Sequence, residues 1–206
     1  MVEDTDPSIA LVEIVMQGYA VEGRCRGLNE RLRLIDLLNN PEITHLQMAD
    51  VKVRRFPTLE EIVASDGPMF IEKESVVLGR SLASPEAEAR RDEAHRFDHV
   101  QKQKQLMLVF APPFRILGNI YVIKDADLSV ALPKLFGSFL GMTEAAIVRE
   151  GGNGLGWDST FTVVNGQRIE MVCAVPPGYR QVDLAGAGPT REAEESDAQQ
   201  VSSAVE

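Results

Sequence analysis

The hydrophobic positions of this chain fall in short runs whose period changes from two to about 3.6 and back, and the same order of periods occurs twice. Ile9 to Gln17 is an almost unbroken apolar run of strand length. Tyr19 to Leu28 alternates, with Tyr19, Val21, Gly23 and Cys25 on one face and Glu22, Arg24 and Arg26 on the other. Together they predict a hairpin about Gly18 with one face in a core and one in water. Leu34, Leu37 and Leu38, spaced by three and four, predict one or two helical turns laid over the end of a small sheet, stopped by Asn39, Asn40 and Pro41. His45 to Arg54 predicts a strand in which Leu46 and Met48 hold one phase and Val51 and Val53 the other, the mark of a bulge or a sharp barrel corner. Phe56 to Asp66 reads as a connection with a helical turn from Thr58, and Met69 to Ile71 and Val76 to Leu82 as strands flanking a polar turn.

The second pass begins at Leu106. Leu106 to Ala111 and Phe114 to Ile123 predict a second strand pair, with Gly118 at the place of Gly23. Asp127 caps a short helix that Pro133 limits to about two turns, and Phe139 to Arg149 predicts a strand with the same phase switch after Met142. Leu34, Leu38, Leu46, Met48 and Val53 return as Leu128, Leu132, Leu140, Met142 and Ile147, all 94 positions later. Val164, Asn165 and Ile169 follow Ile71, Glu72 and Val76 at 93 positions. Thr160 to Val164 and Ile169 to Val175 are expected to form a hairpin about Asn165 and Gly166.

The pattern therefore predicts a mainly β protein of two tandem small bent-sheet or barrel-like domains, each of about five strands plus one short helix, joined by a helical linker. The boundaries are an acidic arm at 1–8, a first β-rich repeat at 9–83, a charged helical linker at 84–105, a second repeat at 106–175 and a disordered acidic tail at 176–206. Units of this size bury little surface alone, so pseudo-two-fold packing of one repeat on the other is expected. Short strand edges left open on such sheets are sites for strand addition between chains.

Charge changes the picture in one respect. The net charge of −10 sits mostly in the two termini, leaving a mildly acidic body without the basic stripe that phosphate backbones require. Nucleic acid and membrane surfaces are disfavoured as partners. Arg24, Arg26, Arg54 and Arg55 are the only clustered bases, and they carry the alternative of a ligand- or nucleic-acid-binding regulator. No apolar run approaches 18 residues and no charged segment leads into an apolar one at the start, so a cytoplasmic location is expected. Cys25 and Cys173 stand at non-equivalent places in the two repeats and read as buried free thiols.

Candidate chemistry is sparse. Asp50 and Glu144 share one repeat position at the phase switch, so a pseudo-symmetric pairing would bring two carboxylates together to share a proton or hold a divalent cation. The plainer expectation is that each accepts hydrogen bonds from donors freed at its bulge. His95 and His99, four apart in the linker, would face one way on a helix as zinc ligands do, but they lack the following Glu of a zincin and a third nearby histidine. The glycines of Gly151 to Gly156 suit a hairpin loop better than a phosphate cradle, having no Lys-Ser/Thr after them, and Trp157 beside them is either a core lid or an exposed contact. No nucleophile turn with a base appears, so neither an enzyme nor a cofactor is expected.

The second-strand glycine, the RLIDLLN turn, the strands HLQMADVKV and FLGMTEAAI and the closing TVVNGQRIEMV together resemble a bacterial family of small domains of unknown function. The likeness spans residues 9–82 and 106–175 and implies a tandem β-rich fold without an established activity. Val130 at the place of Asp36 and Pro133 at the place of Asn39 depart from the pattern in the second copy. A weaker likeness to Sm-like and SH3-like small barrels covers one hairpin per copy. The resulting expectation is a non-catalytic interaction or scaffold protein that binds a protein partner or associates with itself.

Overall fold

The computed structural model describes residues 10–28, 32–82, 101–151, 156–176 and 179. β1 (Ala10–Met16), β2 (Tyr19–Cys25), α1 (Leu34–Asn39), β3 (His45–Arg55), β4 (Glu60–Ser65), β5 (Met69–Glu72) and β6 (Val76–Ser81) form the first repeat. β7 (Lys102–Ala111), β8 (Phe114–Ile123), α2 (Leu128–Leu135), β9 (Phe139–Arg149), β10 (Gly156–Asn165) and β11 (Met171–Ala174) form the second. No described helix is long and apolar enough to cross a membrane.

The mainly β class is as expected, but the two-domain division is not. All eleven strands belong to one antiparallel sheet in the order β11-β7-β8-β9-β10-β6-β1-β2-β3-β4, with β5 also on β3. The join is β10 against β6, where Thr162, Val163 and Val164 face Arg80, Gly79 and Leu78. β10 corresponds to β4 and β5 of the first repeat, and β6 corresponds to β11. The paired strands are thus non-equivalent, and the repeats meet head to tail rather than about a pseudo-two-fold axis. Residues 84–100 of the expected helical linker lie outside the described residues, and Lys102 to Gln105, its last part, are strand.

The unbroken apolar run of β1 follows from its place between β6 and β2, covered on both faces. Ile14 enters a core with Val21, Leu34, Leu38, Met48 and Val51, and Val15 enters another with Phe114, Ile116, Met142 and Ile147. Each core is built by both repeats: Phe139 and Val163 complete the first, and Val15, Ala20, Phe56, Val77 and Leu78 complete the second. The predicted phase switch is a single left-handed residue in each repeat, Asp50 and Glu144, both at φ 51°. It turns Leu46, Met48, Val51 and Val53 all toward buried surroundings. The facing strand shifts register at Gly23 and again at Gly118. A Cβ on Gly23 would lie 2.9 Å from the Ala49 carbonyl oxygen, so the close crossing of β2 and β3 requires glycine there.

Three local readings are corrected. Glu60 to Ser65, read as a connection, is a strand on β3, exposed on both faces and therefore without the alternation that marks a half-buried strand. The expected hairpins at the end of each repeat are absent among the described residues: β5 pairs with β3 while β6 pairs with β1, and β10 pairs with β9 while β11 pairs with β7. A 3-10 turn, Lys73–Ser75 or Gly166–Arg168, carries the chain from one side of the sheet to the other. Asn165, read as half of a tight turn, accepts the Gln167 amide and begins that crossover. The Asp127 cap stands as expected, accepting from the Ser129 amide.

Candidate functional site

The junction between repeats is held by both backbone pairing and side-chain hydrogen bonds, and it defines by contrast what is left open elsewhere. β10 and β6 contribute backbone pairing, and side chains lock the register from both sides. Thr162 Oγ1 donates to the Gly79 carbonyl at 3.1 Å and Asn165 Nδ2 to the Val76 carbonyl at 2.9 Å. Arg168 donates to the Glu74 carbonyl through Nη2 at 2.8 Å. From α1, the Asn39 amide receives the Phe139 N–H at 2.7 Å and donates back to its carbonyl at 3.0 Å. Bonds of this kind contribute about 1 kcal/mol each, and a buried donor stripped of its partner costs more.

A second cluster closes the other side of the junction. Phe56 stacks on Trp157 with centroids 6.4 Å apart and rings 8° from parallel, and Phe114 meets both edge-on. Arg80 lies over Trp157 at 5.6 Å while its Nε donates to the buried Glu13 at 2.6 Å. Arg54 donates to Glu22 at 2.8 Å and approaches Glu13 at 3.9 Å. A cavity of about 150 Å³ lies among Glu13, Arg54, Phe56, Arg80 and Trp157, lined by charges that already have opposite partners. Trp157 is thus partly buried against the second core, with its indole Nε1 buried and without a hydrogen-bond partner among the described residues.

The counterpart of this junction in the first repeat is uncovered. β5 pairs with β3 on one side, with Leu46, Gln47 and Met48 facing Ile71, Phe70 and Met69, and has no strand on its other side among the described residues. Phe70 is 64% exposed, whereas Val163 at the same repeat position is completely buried. Tyr19, 41% exposed, corresponds in turn to the buried Phe114. Beside the edge runs an apolar groove of about 360 Å³ lined by Met16, Tyr19, Val21, Val63, Met69 and Phe70. An open backbone ladder, an exposed aromatic and an adjoining apolar groove are what an added strand needs.

The residues singled out from sequence are dispersed. Asp50 pairs with Arg24 at 3.4 Å, and Glu144 accepts from Lys104 at 2.7 Å and from Asn119 at 3.1 Å. Each carboxylate thus answers to side chains of its own repeat, not to bulge amides, and four strands separate β3 from β9 in the sheet order. The Glu144 hydrogen bond raises the Lys104 ammonium above its ordinary value, and the Ser129 side-chain and backbone bonds lower Asp127. Among the described residues no three His, Cys, Asp or Glu side chains gather as a metal site. His95 and His99 lie outside the described residues. Of the clustered bases, Arg24 and Arg54 are matched by carboxylates and Arg26 donates to Gln47 at 3.4 Å, while Arg55 is exposed on β3 opposite Glu60. The thiols differ from each other: Cys25 is buried and desolvation pushes its pKa up to about 12, but Cys173 is exposed on β11.

Phe70 was within reach of sequence reasoning, because in Met-Phe-Ile-Glu it stands in the polar phase of a short strand whose neighbours Met69 and Ile71 hold the apolar phase. An aromatic out of phase marks a side chain pointing away from its own core. Comparison with protein families, with curated proteins and with solved structures finds no match to the chain.

Proposed function

We propose that this chain is a non-catalytic interaction or scaffold protein that binds a protein partner, or itself, through the open strand edge of its first repeat. Phe70 carries the reading: the position that anchors the junction when occupied by Val163 presents an exposed aromatic ring in the first repeat. Strand addition at β5 would supply main-chain hydrogen bonds, and the groove beside Tyr19 and Val63 would accept alternate side chains of the incoming segment.

The test uses the full chain as bait in three forms: unaltered, Phe70→Glu, and Ile123→Glu as a control at another exposed apolar position. A bound protein, whether a second copy or another species, is expected on the unaltered and Ile123→Glu baits and is expected to be lost from Phe70→Glu. Equal capture by all three would remove the edge from the reading.

A further inference from the structure

We infer that successive copies of this chain join head to tail by the same strand pairing that joins its two repeats, β5 of one copy lying antiparallel along β11 of the next. The inference rests on the reading of β5 as an interaction edge and names the partner as a second copy of the chain.

The repeat supplies the register. Thr162, Val163 and Val164 correspond to Met69, Phe70 and Ile71, because both sets face the same positions on their third strands: Met142, Gly141 and Leu140 in one repeat, Met48, Gln47 and Leu46 in the other. Arg80, Gly79 and Leu78 correspond to Cys173, Val172 and Met171 through their pairing with β1 and β7. Transferring the observed β10 to β6 pairs gives Met69 opposite Cys173, Phe70 opposite Val172 and Ile71 opposite Met171 of the next copy.

Among the described residues, both halves of that interface are uncovered or only partly covered. On the donor side Phe70 is exposed where Val163 is buried. On the receiving side Val163 lies in the core that contains Leu34 and Leu38 of α1, both buried. Their counterparts on α2, Leu128 and Leu132, are only partly covered, as is Val172. Met171 is 51% exposed, while its counterpart Leu78 is fully buried in the junction. A strand edge with no partner among the described residues, two half-covered leucines and an exposed methionine thus all belong to the second repeat, at the positions that receive β10 on the first. Phe70 set opposite Val172 makes a cross-strand aromatic and β-branched pair, a favourable combination in antiparallel sheets.

The side-chain locks do not transfer. Met69 stands for Thr162, Glu72 for Asn165 and Pro133 for Asn39, so the junction between chains has the ladder and the apolar contact without those hydrogen bonds. It is therefore weaker than the internal one and reversible on dilution. Because it joins two different surfaces, each added copy presents a fresh edge, and assembly continues past the dimer to a ring or a filament.

Light scattering of the full chain across concentration tests this. The unaltered protein is expected to rise in mass beyond a dimer, while Phe70→Glu and Met171→Glu each stay monomeric with unchanged urea transitions. Mixed in equal amounts, the two variants are expected to form a dimer and nothing larger, since one keeps its β11 edge and the other its β5 edge. A trapping experiment reads the register: directly opposed residues on antiparallel strands lie about 4.5–5.5 Å apart at Cα, within disulfide reach. Oxidised Met69→Cys is expected to give a ladder of covalent oligomers through the native Cys173, abolished by adding Cys173→Ser and absent for Ile123→Cys. A chain that stays monomeric at every concentration, oligomers that survive Met171→Glu, or a ladder that survives Cys173→Ser would overturn the inference. If the chain is monomeric yet Phe70→Glu loses a different bound protein, the interaction reading stands and self-pairing falls.

Discussion

Val163 and Phe70 occupy the same place in two copies of one module and live in opposite surroundings. The valine is sealed between β6 and the leucines of α1, while the phenylalanine stands in solvent on an edge strand. Around Val163 the positions are filled by groups suited to a permanent contact: Thr162 and Asn165 donate to carbonyls of β6, and Gly79 leaves room for Leu34 and Ile14. Around Phe70 stand Met69 and Glu72, which offer no such donors. A module that carries both a strand edge and a surface to receive one fixes the first pairing within the chain and leaves one of each at the ends.

The sharpest way to break this contrast is to place a charge at both positions. Val163→Asp is expected to cost about 3–5 kcal/mol, the scale for an unpaired charge in a buried site, and to lower the urea midpoint accordingly. Phe70→Asp, judged on the same transition in dilute protein, is expected to move it by less than about 0.5 kcal/mol. Equal losses would mean that β5 is as enclosed as β10. Next in size is the pair of second-strand glycines. Gly23→Ala brings a Cβ to 2.9 Å of the Ala49 oxygen and of Val51, and Gly118→Ala to 3.1 Å of Ala145. Losses of about 1–3 kcal/mol are expected, larger for Gly23, read by thermal or urea unfolding.

Asn165→Ala tests the lock itself. It leaves the Val76 carbonyl without its buried donor and is expected to cost about 1–3 kcal/mol, whereas Glu72→Ala at the equivalent open position is expected to be near neutral. The smallest effects belong to the phase-switch carboxylates. Asp50→Asn and Glu144→Gln each remove an exposed ion pair and are expected to change stability by less than about 0.5 kcal/mol, less still in high salt. A loss of several kcal/mol from either would show that the left-handed turn depends on the charge.

How much of this could be seen in the sequence varied with the range of the interaction. The phase switch was legible because Leu46, Met48, Val51 and Val53 record it locally, and the left-handed Asp50 and Glu144 explain it. The helix of Leu34, Leu37 and Leu38 was legible for the same reason. Strand partners were not, because a short alternating run states which face is buried and not which edge is taken. Asn165-Gly166 therefore read as a hairpin, although the chain crosses there to the far side of the sheet. β4 escaped notice because both its faces are wet. The doubling was plain from the 94-position interval, but whether the copies would stand apart or share one sheet depended on β10 finding β6, a contact no local pattern encodes. The same long-range contact separates the open edge from the occupied one, so only the phase of Phe70 hinted at the candidate site.

The junction also sets the order in which the protein can be finished. β6 ends at Ser81, but the residues that close the first core, Phe139 and Val163, belong to β9 and β10. At about 5–20 residues per second of synthesis, several seconds pass in which the first repeat has left the ribosome with Leu34 and Leu38 uncovered and β6 unpaired on one side. During that interval a nascent chain presents the receiving surface that its own second repeat will later occupy. Under the self-pairing inferred above, a neighbouring chain's Phe70 edge on a crowded polysome would compete for that surface, and the hydrogen bonds of Asn39, Thr162 and Asn165 would favour the chain's own β10.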